Sequence, residues 1–363
     1  MESAAVVIVG GGALGASVAW HLAALGITDV VLVERETLAS GSTSKSAGGI
    51  RTQFADELNI RIALRSLDEL VEFAEEIDLR QWGYLFLLDR ARDVDDFRAA
   101  LALQQSLGVP SRELTPEDVR ALVPRLQLDG VLAATFCPLD GYASPEALVQ
   151  RYVREASERG VRVRQRCAVT GIVVDRGRLE RVETTAGPLA TNCVVCTAGA
   201  WSREVAALAA IDLPVRGEPR HMWFTPQDGG LPPELPLTID FTTSFYFHRE
   251  RPGLVFGGRE PSLEEVAEHA ARRVPVLTEL PIQSSWWGYY EVSPDNNALV
   301  GESRDVSRFV YATGFSGHGF QQAPAVGEHV AQLVAGEEPA LDLSPFDVER
   351  FARGAERRER FVV

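Results

Sequence analysis

Lysine is almost absent from this 363-residue chain, where Lys45 is the only lysine among 36 basic residues. Any chemistry that needs a lysine amine must therefore use this side chain. The chain also has only four cysteines, which is too few for a disulfide framework. No apolar run reaches the roughly 20 residues that span a bilayer. No leader segment is visible before the first apolar run, so we expect a cytoplasmic protein without a membrane span.

Positive charge is also scarce, since the formal net charge is −15 at pH 7. This balance argues against a nucleic acid or an anionic membrane surface as partner. The hydrophobic fraction of 45% is typical of a globular protein. The length predicts roughly two domains rather than one core.

A C-x-x-C pattern at Cys193 and Cys196 resembles a redox or metal-binding pair. The surrounding "NCVVCTAG" is apolar and predicts a buried strand, in which residues three apart point to opposite faces. We therefore expect two structural cysteines and no metal site.

The strongest motif is "AAVVIVGGGALGASVAWHLAALG" at the N-terminus. The apolar run Ala4–Val9 predicts a buried parallel strand. Gly10, Gly12 and Gly15 then match G-x-G-x-x-G, and a helix is expected from about Leu14 to Leu25. Strand, glycine turn and helix in this order predict a dinucleotide-binding unit.

A second apolar strand, "VVLVE", ends at Glu34, about twenty residues past the glycines, where an acidic residue binds ribose hydroxyls. A carboxylate there disfavours the 2′-phosphate of NADP. The following loop, "ASGSTSKSAGGIRTQF" (Ala39–Phe54), is dense in hydrogen-bond donors and includes Lys45 and Arg51. Such a second cradle favours extended FAD over NAD; a flexible surface loop is the alternative.

The rest of the chain alternates between helical and strand-like segments. Helical spacing covers residues 56–77 and 93–123, the latter interrupted at Pro110 and Pro116. Ser144 and Pro145 form a helix-start signature. Aromatic alternation in residues 214–294 predicts an antiparallel sheet with one face exposed to water.

The predicted fold class is α/β plus α+β, with a discontinuous Rossmann-type FAD-binding domain and an inserted antiparallel-sheet substrate-binding domain. We expect the FAD-binding domain at residues 1–80, 142–213 and 295–363, and the substrate-binding domain at residues 81–141 and 214–294. The charged tail "FARGAERRERFVV" is expected to form a surface helix.

Several segments together resemble the flavin-dependent amine oxidoreductases of the D-amino-acid oxidase and sarcosine oxidase superfamily. They include "VIVGGGALGASVAWHLA", "STSKSAGGIRTQF", "LDGYASPEALVQ", "VVCTAGAWS", "SFYFHRE", "YYEVSPDNNALVGE" and "ATGFSGHGFQQAPAVGE". The resemblance runs nearly end to end, and is greatest to the sarcosine oxidase β-subunit and L-proline dehydrogenase branch. It implies that the "GFSGHGF" loop packs against the flavin and stabilises its reduced form.

The resemblance also implies an activity. Hydride would pass from the carbon beside the amine to flavin N5, and water would hydrolyse the resulting imine. The expected substrate is a small amine or amino acid, either an N-methyl amino acid such as sarcosine or one like proline or glycine. The alternative is a non-catalytic FAD-bound assembly factor, or a subunit of a larger oxidoreductase complex with hetero-oligomeric partners.

The residues that match the family's FAD-binding positions are spread over the whole chain. They are Gly10, Gly12, Ala13, Leu14, Gly15, Glu34, Arg35, Ser42, Thr43, Ser44, Lys45, Ala47, Gly48, Gly49, Val169, Gly199, Trp201, Gly314, Phe315, Ser316, Gly317, His318, Gly319, Phe320 and Gln321.

The candidate catalytic residues fall into two groups, one for the carboxylate of the substrate and one for the protonation of its amine. The first group is Arg51, Arg259, Tyr246 and Gln321, and the second is His248 and His318. Five of these six have a structural alternative: a flavin contact for Arg51, a surface ion pair for Arg259, a solvent-facing strand for Tyr246 and His248, and support of the flavin loop for His318.

Departures from the family pattern refine these expectations. Gly288 stands where monomeric sarcosine oxidases attach FAD through a cysteine, so we expect noncovalent FAD. Val255 stands where those oxidases have a lysine that activates oxygen, and Gln321 stands where they have a lysine that binds the substrate carboxylate. A dehydrogenase or slow oxidase is therefore favoured, with O2 or an unknown electron acceptor, and the substrate need not be sarcosine.

Overall fold

A six-stranded sheet forms the centre of the computed structural model, which describes residues 1–363. All neighbouring strands are parallel except for one antiparallel pair at an edge. The strands follow the spatial order Leu299–Glu302, Phe309–Thr313, Val194–Cys196, Val6–Val9, Val30–Val33 and Arg162–Arg164.

Both faces of this sheet are covered, as the apolar sequence of its strands requires. Ile8 on one face packs into the core formed with the long helices, whereas Val7 on the other face packs under a four-stranded sheet. Cys193 lies in the first core and Cys196 in the second, which confirms the predicted strand. The four-stranded sheet contains Glu2–Ser3, Leu189–Ala190, Arg178–Thr184 and Val169–Asp175.

Eight α-helices surround the sheets, and local signals explain where several begin. The Ser144 hydroxyl accepts a hydrogen bond from the backbone N–H of Ala147 at 3.2 Å, ahead of Pro145, as predicted. None of the helices is both long and apolar enough to cross a bilayer. The helices are Ala13–Ala24, Glu57–Glu72, Ala91–Ser106, Pro116–Leu122, Pro145–Glu158, Ser202–Ala207, Leu263–Arg273 and Gly319–Ala335.

An eight-stranded sheet forms the second large layer. Its strands are antiparallel neighbours except for the parallel pair Leu237–Asp240 and Tyr84–Leu88. In spatial order they are Ser284–Val292, Arg216–Thr225, Gly253–Gly258, Phe245–Glu250, Leu237–Asp240, Tyr84–Leu88, Ala133–Cys137 and Arg112–Leu114. A two-stranded pair, Gly49–Ile50 with Gly141–Tyr142, completes the strands. The domain boundaries given above stay a prediction.

The central strands of this sheet are buried on both faces, so the expected water-exposed face is wrong for them. Phe245 and Phe247 pack on one side against the helix Leu263–Arg273. Tyr246 points to the other side, where it lines a cavity. Alternation along a strand identifies two faces but does not reveal what covers each one.

The C-terminal tail, residues 355–363, is non-helical, so the predicted surface helix is wrong. Glu359 is fully buried, and its carboxylate accepts hydrogen bonds from the backbone of Ala55 and the side-chain amide of Asn59. The Phe361 ring stacks on Phe97 with 3.9 Å between ring centroids. Two buried side chains in a charged segment hold the tail in an extended course across the protein.

Candidate active site

A cavity of about 620 Å³ lies among residues of the two large sheets. It extends from the N-terminal glycine turn to the tyrosines of the eight-stranded sheet. The predicted site residues that line it are Gly10, Gly12, Ala13, Leu14, Glu34, Arg35, Ser42, Thr43, Lys45, Ala47, Gly49, Arg51, Val169, Gly199, Trp201, Tyr246, Ser316, Gly317, His318, Gly319, Phe320 and Gln321.

Seven predicted site residues do not line this cavity. Gly15, Gly48 and Gly314 lie behind it, where added Cβ atoms would meet backbone or side-chain atoms of the fold. The complete set is Gly15, Ser44, Gly48, His248, Arg259, Gly314 and Phe315.

The glycine turn is required by close packing at the end of strand Val6–Val9. Gly10 has φ +112°, and a Cβ there would lie 2.4 Å from the carbonyl oxygen of Thr197. A Cβ at Gly15 would lie 1.9 Å from the carbonyl oxygen of Gly10. The turn therefore brings the N-terminus of helix Ala13–Ala24 to the cavity wall, where its free N–H groups favour an anion.

Glu34 is fixed at this end of the cavity. One carboxylate oxygen accepts a hydrogen bond from the N–H of Gly11 at 2.8 Å, and the other from the N–H of Glu36 at 2.9 Å. A carboxylate has about four acceptor positions, so capacity remains for ribose hydroxyls. The Arg35 guanidinium lies over the Trp201 ring at 4.1 Å and forms an adjacent wall.

A second helix N-terminus meets the cavity at the late glycine loop, Gly314–Gly319. The helix Gly319–Ala335 begins there, and Gly319 and Phe320 line the cavity. Gly317 has φ +97°, and a Cβ there would lie 2.5 Å from the ring of Tyr290. The loop thus uses glycine to let its backbone approach a neighbouring strand.

The residues present fit FAD. Glu34 suits the ribose, and the helix N-terminus at Ala13 suits the pyrophosphate. The second helix N-terminus, at Gly319, suits a group that gains negative charge, as the flavin does on reduction. The structure contains no cluster of three or more side chains that could hold a metal ion.

Lys45 lies against the strand Ser284–Val292 and lines the cavity. A Cβ at Gly288 would lie 2.4 Å from the Cβ of Lys45. Since real Cβ atoms do not approach this closely, position 288 has no room for a side chain unless Lys45 moves.

Arg51 is buried, and most of its donor groups already have partners. Its guanidinium donates to the carbonyl oxygens of Gln53 and Phe361, and its Nη2 lies 2.8 Å from Nε2 of His318. The Arg51 backbone N–H donates to Oε1 of Gln321 at 2.5 Å. Arg51 therefore joins the C-terminal tail to the late glycine loop.

His318 is held neutral by this contact. A guanidinium only donates hydrogen bonds, so His318 Nε2 must be the unprotonated acceptor. Burial and the positive charge of Arg51 lower the pKa of His318 well below its usual range. The ring thus supports the glycine loop and leaves Nε2 unavailable to a substrate proton while Arg51 stays in place.

His248 and Arg259 lie outside the main cavity. The His248 ring is buried against Tyr142, with 4.3 Å between ring centroids, and burial lowers its pKa to about 4. Arg259 donates to the carbonyl oxygen of Val362 at 2.9 Å. It lines a second, more polar cavity of about 560 Å³ beside the tail.

Residues that the sequence did not single out complete the cavity. Tyr84 and Tyr290 join Tyr246, and burial raises the pKa of all three phenols, so they are hydrogen-bond donors at neutral pH. Arg220 lines both cavities. The sequence could predict that Arg220 and Met222 share one face of a strand, but it could not predict that this face borders a cavity.

Glu291 is a further cavity residue without a basic partner. Its Oε2 accepts a hydrogen bond from the Thr313 hydroxyl at 2.8 Å. Burial raises the pKa of this carboxyl to about 7. Its charge therefore changes near neutral pH.

The four cysteines are all free and buried. Cys193 and Cys196 lie outside the cavity, and burial raises the pKa of each thiol to about 11. Buried thiols of this kind are unreactive.

Known proteins similar to this chain also point to FAD. A family model described as "DAO: FAD dependent oxidoreductase" matches residues 5–333. The chain is similar to the solved structure of L-proline dehydrogenase from P. horikoshii, with a TM-score of 0.92 and 32% identity, covering 98% of this chain and 100% of that one.

Two curated relatives differ in how much of their length is matched. Mitochondrial sarcosine dehydrogenase of Homo sapiens is 29% identical over 395 residues, covering 99% of this chain but 43% of its own length. "FAD-dependent oxidoreductase domain-containing protein 1" of Bos taurus is 32% identical over 433 residues, covering 100% of this chain and 87% of its own length. The chain thus spans less than half of the first relative.

Proposed function

Because the chain belongs to the DAO family of FAD-dependent oxidoreductases, we propose that it oxidises the C–N bond of a small amine or amino acid. N-methyl amino acids such as sarcosine, and ring amino acids such as proline, are the substrate classes that its relatives' names suggest. The product is an imine, which water hydrolyses. When bound, FAD would supply the two-electron acceptor for this oxidation.

One observation carries the proposal: a single cavity joins the FAD-compatible glycine turns to a chamber with tyrosines and arginines. Tyr246 and Tyr84 offer phenol donors there, and Leu237 and Ile239 add an apolar wall. A chamber with few polar groups in an apolar lining is suited to one small molecule held in one orientation. Its donors match a carboxylate, and its size excludes a polymer.

The protonation states of this chamber suit a neutral amine. His318, which lines the cavity, is neutral, as described above, and burial lowers the pKa of His248, which lies outside the cavity, to about 4. Neither ring is therefore a proton source for the substrate at neutral pH. Transfer of an ammonium group into a buried chamber disfavours its charged form, so the amine is expected to bind deprotonated or to lose its proton on binding.

Gln321 is proposed to help orient the substrate. Its Oε1 accepts the backbone N–H of Arg51, which leaves the side-chain amide N–H groups to face the cavity. Together with the Tyr246 phenol, these donors suit the carboxylate. They would fix which carbon lies beside the flavin ring, since rotation about a held carboxylate is restricted.

The FAD is proposed to be noncovalent. Position 288 is glycine, and a side chain there would collide with Lys45. Cys137, Cys193 and Cys196 lie outside the cavity. Cys167 lines it beside Glu34, where its backbone N–H donates to the Glu34 carbonyl oxygen, at the opposite end from Gly288 and the tyrosines. Release of FAD by acid or denaturant, followed by mass analysis of the protein, tests this; a protein mass that retains FAD would contradict it.

A dehydrogenase is favoured over a fast oxidase, as Val255 stands where the related oxidases use a lysine. Val255 is buried among apolar residues and offers no charge to a reduced oxygen species. Rapid peroxide formation in air during turnover would contradict this assignment.

The deciding experiment is an anaerobic visible spectrum of the FAD-loaded protein against sarcosine, dimethylglycine, L-proline, glycine and D-amino acids. Bleaching of the flavin band by one compound is expected and would identify the substrate class. Readmitting air then separates an oxidase, which recolours quickly, from a dehydrogenase. A flavin that dithionite reduces but no amine reduces would favour a non-catalytic subunit or assembly role instead.

A further inference from the structure

We propose that Glu291 is a redox-linked proton site: its carboxyl takes up a proton when bound FAD is reduced and releases it when FAD is reoxidised. The inference rests on the proposed function, in which FAD accepts the two electrons, and it adds a pH-dependent control of the reduction potential. Sequence reasoning did not single out this side chain.

Glu291 lies where the eight-stranded sheet meets the late glycine loop. It follows Tyr290 on strand Ser284–Val292, and its backbone carbonyl oxygen accepts a hydrogen bond from the N–H of Ser316 at 2.9 Å. A Cβ at Gly319, the first residue of helix Gly319–Ala335, would lie 3.2 Å from Oε1 of Glu291. The carboxyl group therefore lies beside the N-terminus of this helix and lines the main cavity.

This helix N-terminus is the one that suits the negative charge of reduced FAD. It carries about half a positive charge, which an ionised Glu291 would already offset. Two anions at one helix terminus disfavour each other, and each raises the pKa of the other. Reduction should therefore drive a proton onto Glu291, because the neutral carboxyl leaves the helix terminus to the new charge.

The Thr313 hydroxyl shows that the site accommodates a protonated carboxyl. Its Oγ1 lies 2.8 Å from Oε2 of Glu291 and 3.1 Å from the carbonyl oxygen of Gly199. A hydroxyl has one proton, so it can donate to only one of these two acceptors at a time. When Oε2 carries a proton it can donate to Oγ1, and the Thr313 proton is then available to Gly199.

The ionised form also has partners. The backbone N–H groups of Gly314 and Phe315 donate to the Glu291 carboxylate, and the Thr313 hydroxyl can donate as well. These three hydrogen bonds lower the pKa of Glu291, whereas burial raises it by more, to about 7. The same group of atoms can thus hold either protonation state, as a site that gains and loses a proton requires.

No ion pair fixes the charge of Glu291. Burial and hydrogen bonds alone shift its pKa. The Cys196 thiol, on which the Glu291 charge acts, has a pKa raised to about 11, and His318 is neutral as described above. The titratable groups nearest to Glu291 along the elements packed against it are Tyr289, Tyr290, Arg216, Glu218, Arg220, Lys45, Cys196, Arg203, Glu204, Tyr311 and His318.

The proton balance follows from the two-electron reduction. Two electrons and one proton go to FAD, and a second proton passes from solvent to Oε2 of Glu291. Reoxidation by the electron acceptor removes the two electrons and returns both protons. Glu291 is only partly buried where it borders the cavity, so bound FAD would cover it further and favour its neutral form.

The test measures the reduction potential of the FAD-loaded protein by anaerobic dithionite titration beside a reference dye at pH 6, 7, 8 and 9. Wild type is compared with Glu291→Gln, whose amide can donate to Thr313 as the protonated acid does but cannot titrate. The difference between the two potentials should change little from pH 6 to 7. Above pH 7 the reduction equilibrium of wild type should fall up to tenfold more per pH unit, or about 30 mV for a two-electron couple.

A second readout is the proton uptake itself, followed with a pH-indicator dye in weakly buffered solution at pH 8. Wild type should take up about one proton more per FAD reduced than Glu291→Gln. Glu204→Gln is the matched control, because it removes the same charge from an exposed residue that lines the same cavity. It should behave as wild type in both measurements.

Should Glu291→Gln fail to retain FAD, Thr313→Val replaces it, with Thr313→Ser as its control. Valine removes a hydrogen bond that is stronger to the ionised carboxylate than to the neutral acid. The steep part of the pH dependence should therefore begin at a higher pH in Thr313→Val. Serine keeps the hydroxyl and should leave the pH dependence as in wild type.

Parallel potentials of wild type and Glu291→Gln from pH 6 to 9, or equal proton uptake, would overturn the assignment. Loss of the steep region in Glu204→Gln would also overturn it, because any nearby charge would then suffice. Dithionite reduction needs no amine, so the two proposals can fail separately. If no amine bleaches the flavin but the two potentials diverge, the proton site stands without the proposed oxidation. If an amine bleaches it while the potentials stay parallel, the oxidation stands without the proton site.

Discussion

Glu291 provides a prediction that links burial in the cavity to the pH dependence of folding. The carboxyl has no basic partner and accepts a hydrogen bond from the Thr313 hydroxyl, and burial raises its pKa from 4.5 to about 7. A carboxyl with a raised pKa favours folding in its protonated form. Its contribution is therefore fully present below pH 4.5 and is lost as the pH rises through 7.

The size of this contribution follows from the shift. One pKa unit corresponds to about 1.4 kcal/mol, so Glu291 should lower the free energy of unfolding by about 3 kcal/mol across this range. In Glu291→Gln this dependence should disappear, because an amide does not titrate. The free energy of unfolding of the variant minus that of wild type should therefore be larger at pH 8 than at pH 5.

The assay is urea unfolding of wild type and Glu291→Gln at pH 5, 6, 7 and 8, after removal of FAD, whose binding would add its own pH dependence. The difference between the two proteins isolates Glu291 from Asp140, whose carboxyl pKa burial raises to about 6. The exposed Glu337→Gln serves as control. Parallel curves for wild type and Glu291→Gln would refute the assignment of a raised pKa to this carboxyl.

Two further predictions concern packing around the cavity. Gly288→Ala should cost about 1–3 kcal/mol and weaken FAD binding, because its Cβ would lie 2.4 Å from the Cβ of Lys45. Gly171→Ala, whose Cβ would lie 3.5 Å from its nearest neighbour, is the control because Gly171 lies outside the cavity. Thermal unfolding with FAD titration is the measurement. Glu359→Ala should release the C-terminal tail and speed hydrogen exchange at residues 55–59, because the Glu359 carboxylate accepts hydrogen bonds from Ala55, Asp56 and Asn59. The exposed Glu356→Ala is the control, and equal exchange in the two variants would contradict this prediction.

The end of the cavity at the N-terminal glycine turn was predictable because the residues that form it are neighbours in sequence. The strand Val6–Val9, the glycine turn and the helix Ala13–Ala24 follow one another in sequence, and each has a pattern of its own. Gly10 and Gly15 are glycines because of close backbone approaches inside that one unit. The family resemblance then extended the reading to the late glycine loop, whose helix begins at Gly319.

The end of the cavity that carries the tyrosines was less predictable, because its residues meet only through the tertiary fold. Tyr84 and Tyr290 come from strands at distant positions in the chain, and alternation shows only that each shares a face with its neighbours two residues away. In the aromatic run "SSWWGYYEV", Trp287 is half exposed whereas Tyr290 lines the cavity.

The predicted helix in the C-terminal tail was wrong for a related reason. Its six charged residues between Arg353 and Arg360 are typical of a solvated helix. The buried Glu359 has its partners around residues 55–59, and Phe361 has its own at Phe97. Such distant partners leave no periodic signal within the tail.

The acidic net charge of −15 does not conflict with a carboxylate-bearing substrate. An amino acid in solution is a zwitterion with no net charge, so the long-range field of the protein neither attracts nor repels it strongly. Recognition of its carboxylate must then come from charges within about one Debye length, roughly 8 Å at physiological salt. Arg51, Arg220 and Arg259 all act electrostatically on Tyr290, so the local potential at this end of the cavity opposes the sign of the whole protein. This local positive charge would favour the carboxylate of the proposed substrate even though the protein as a whole is acidic.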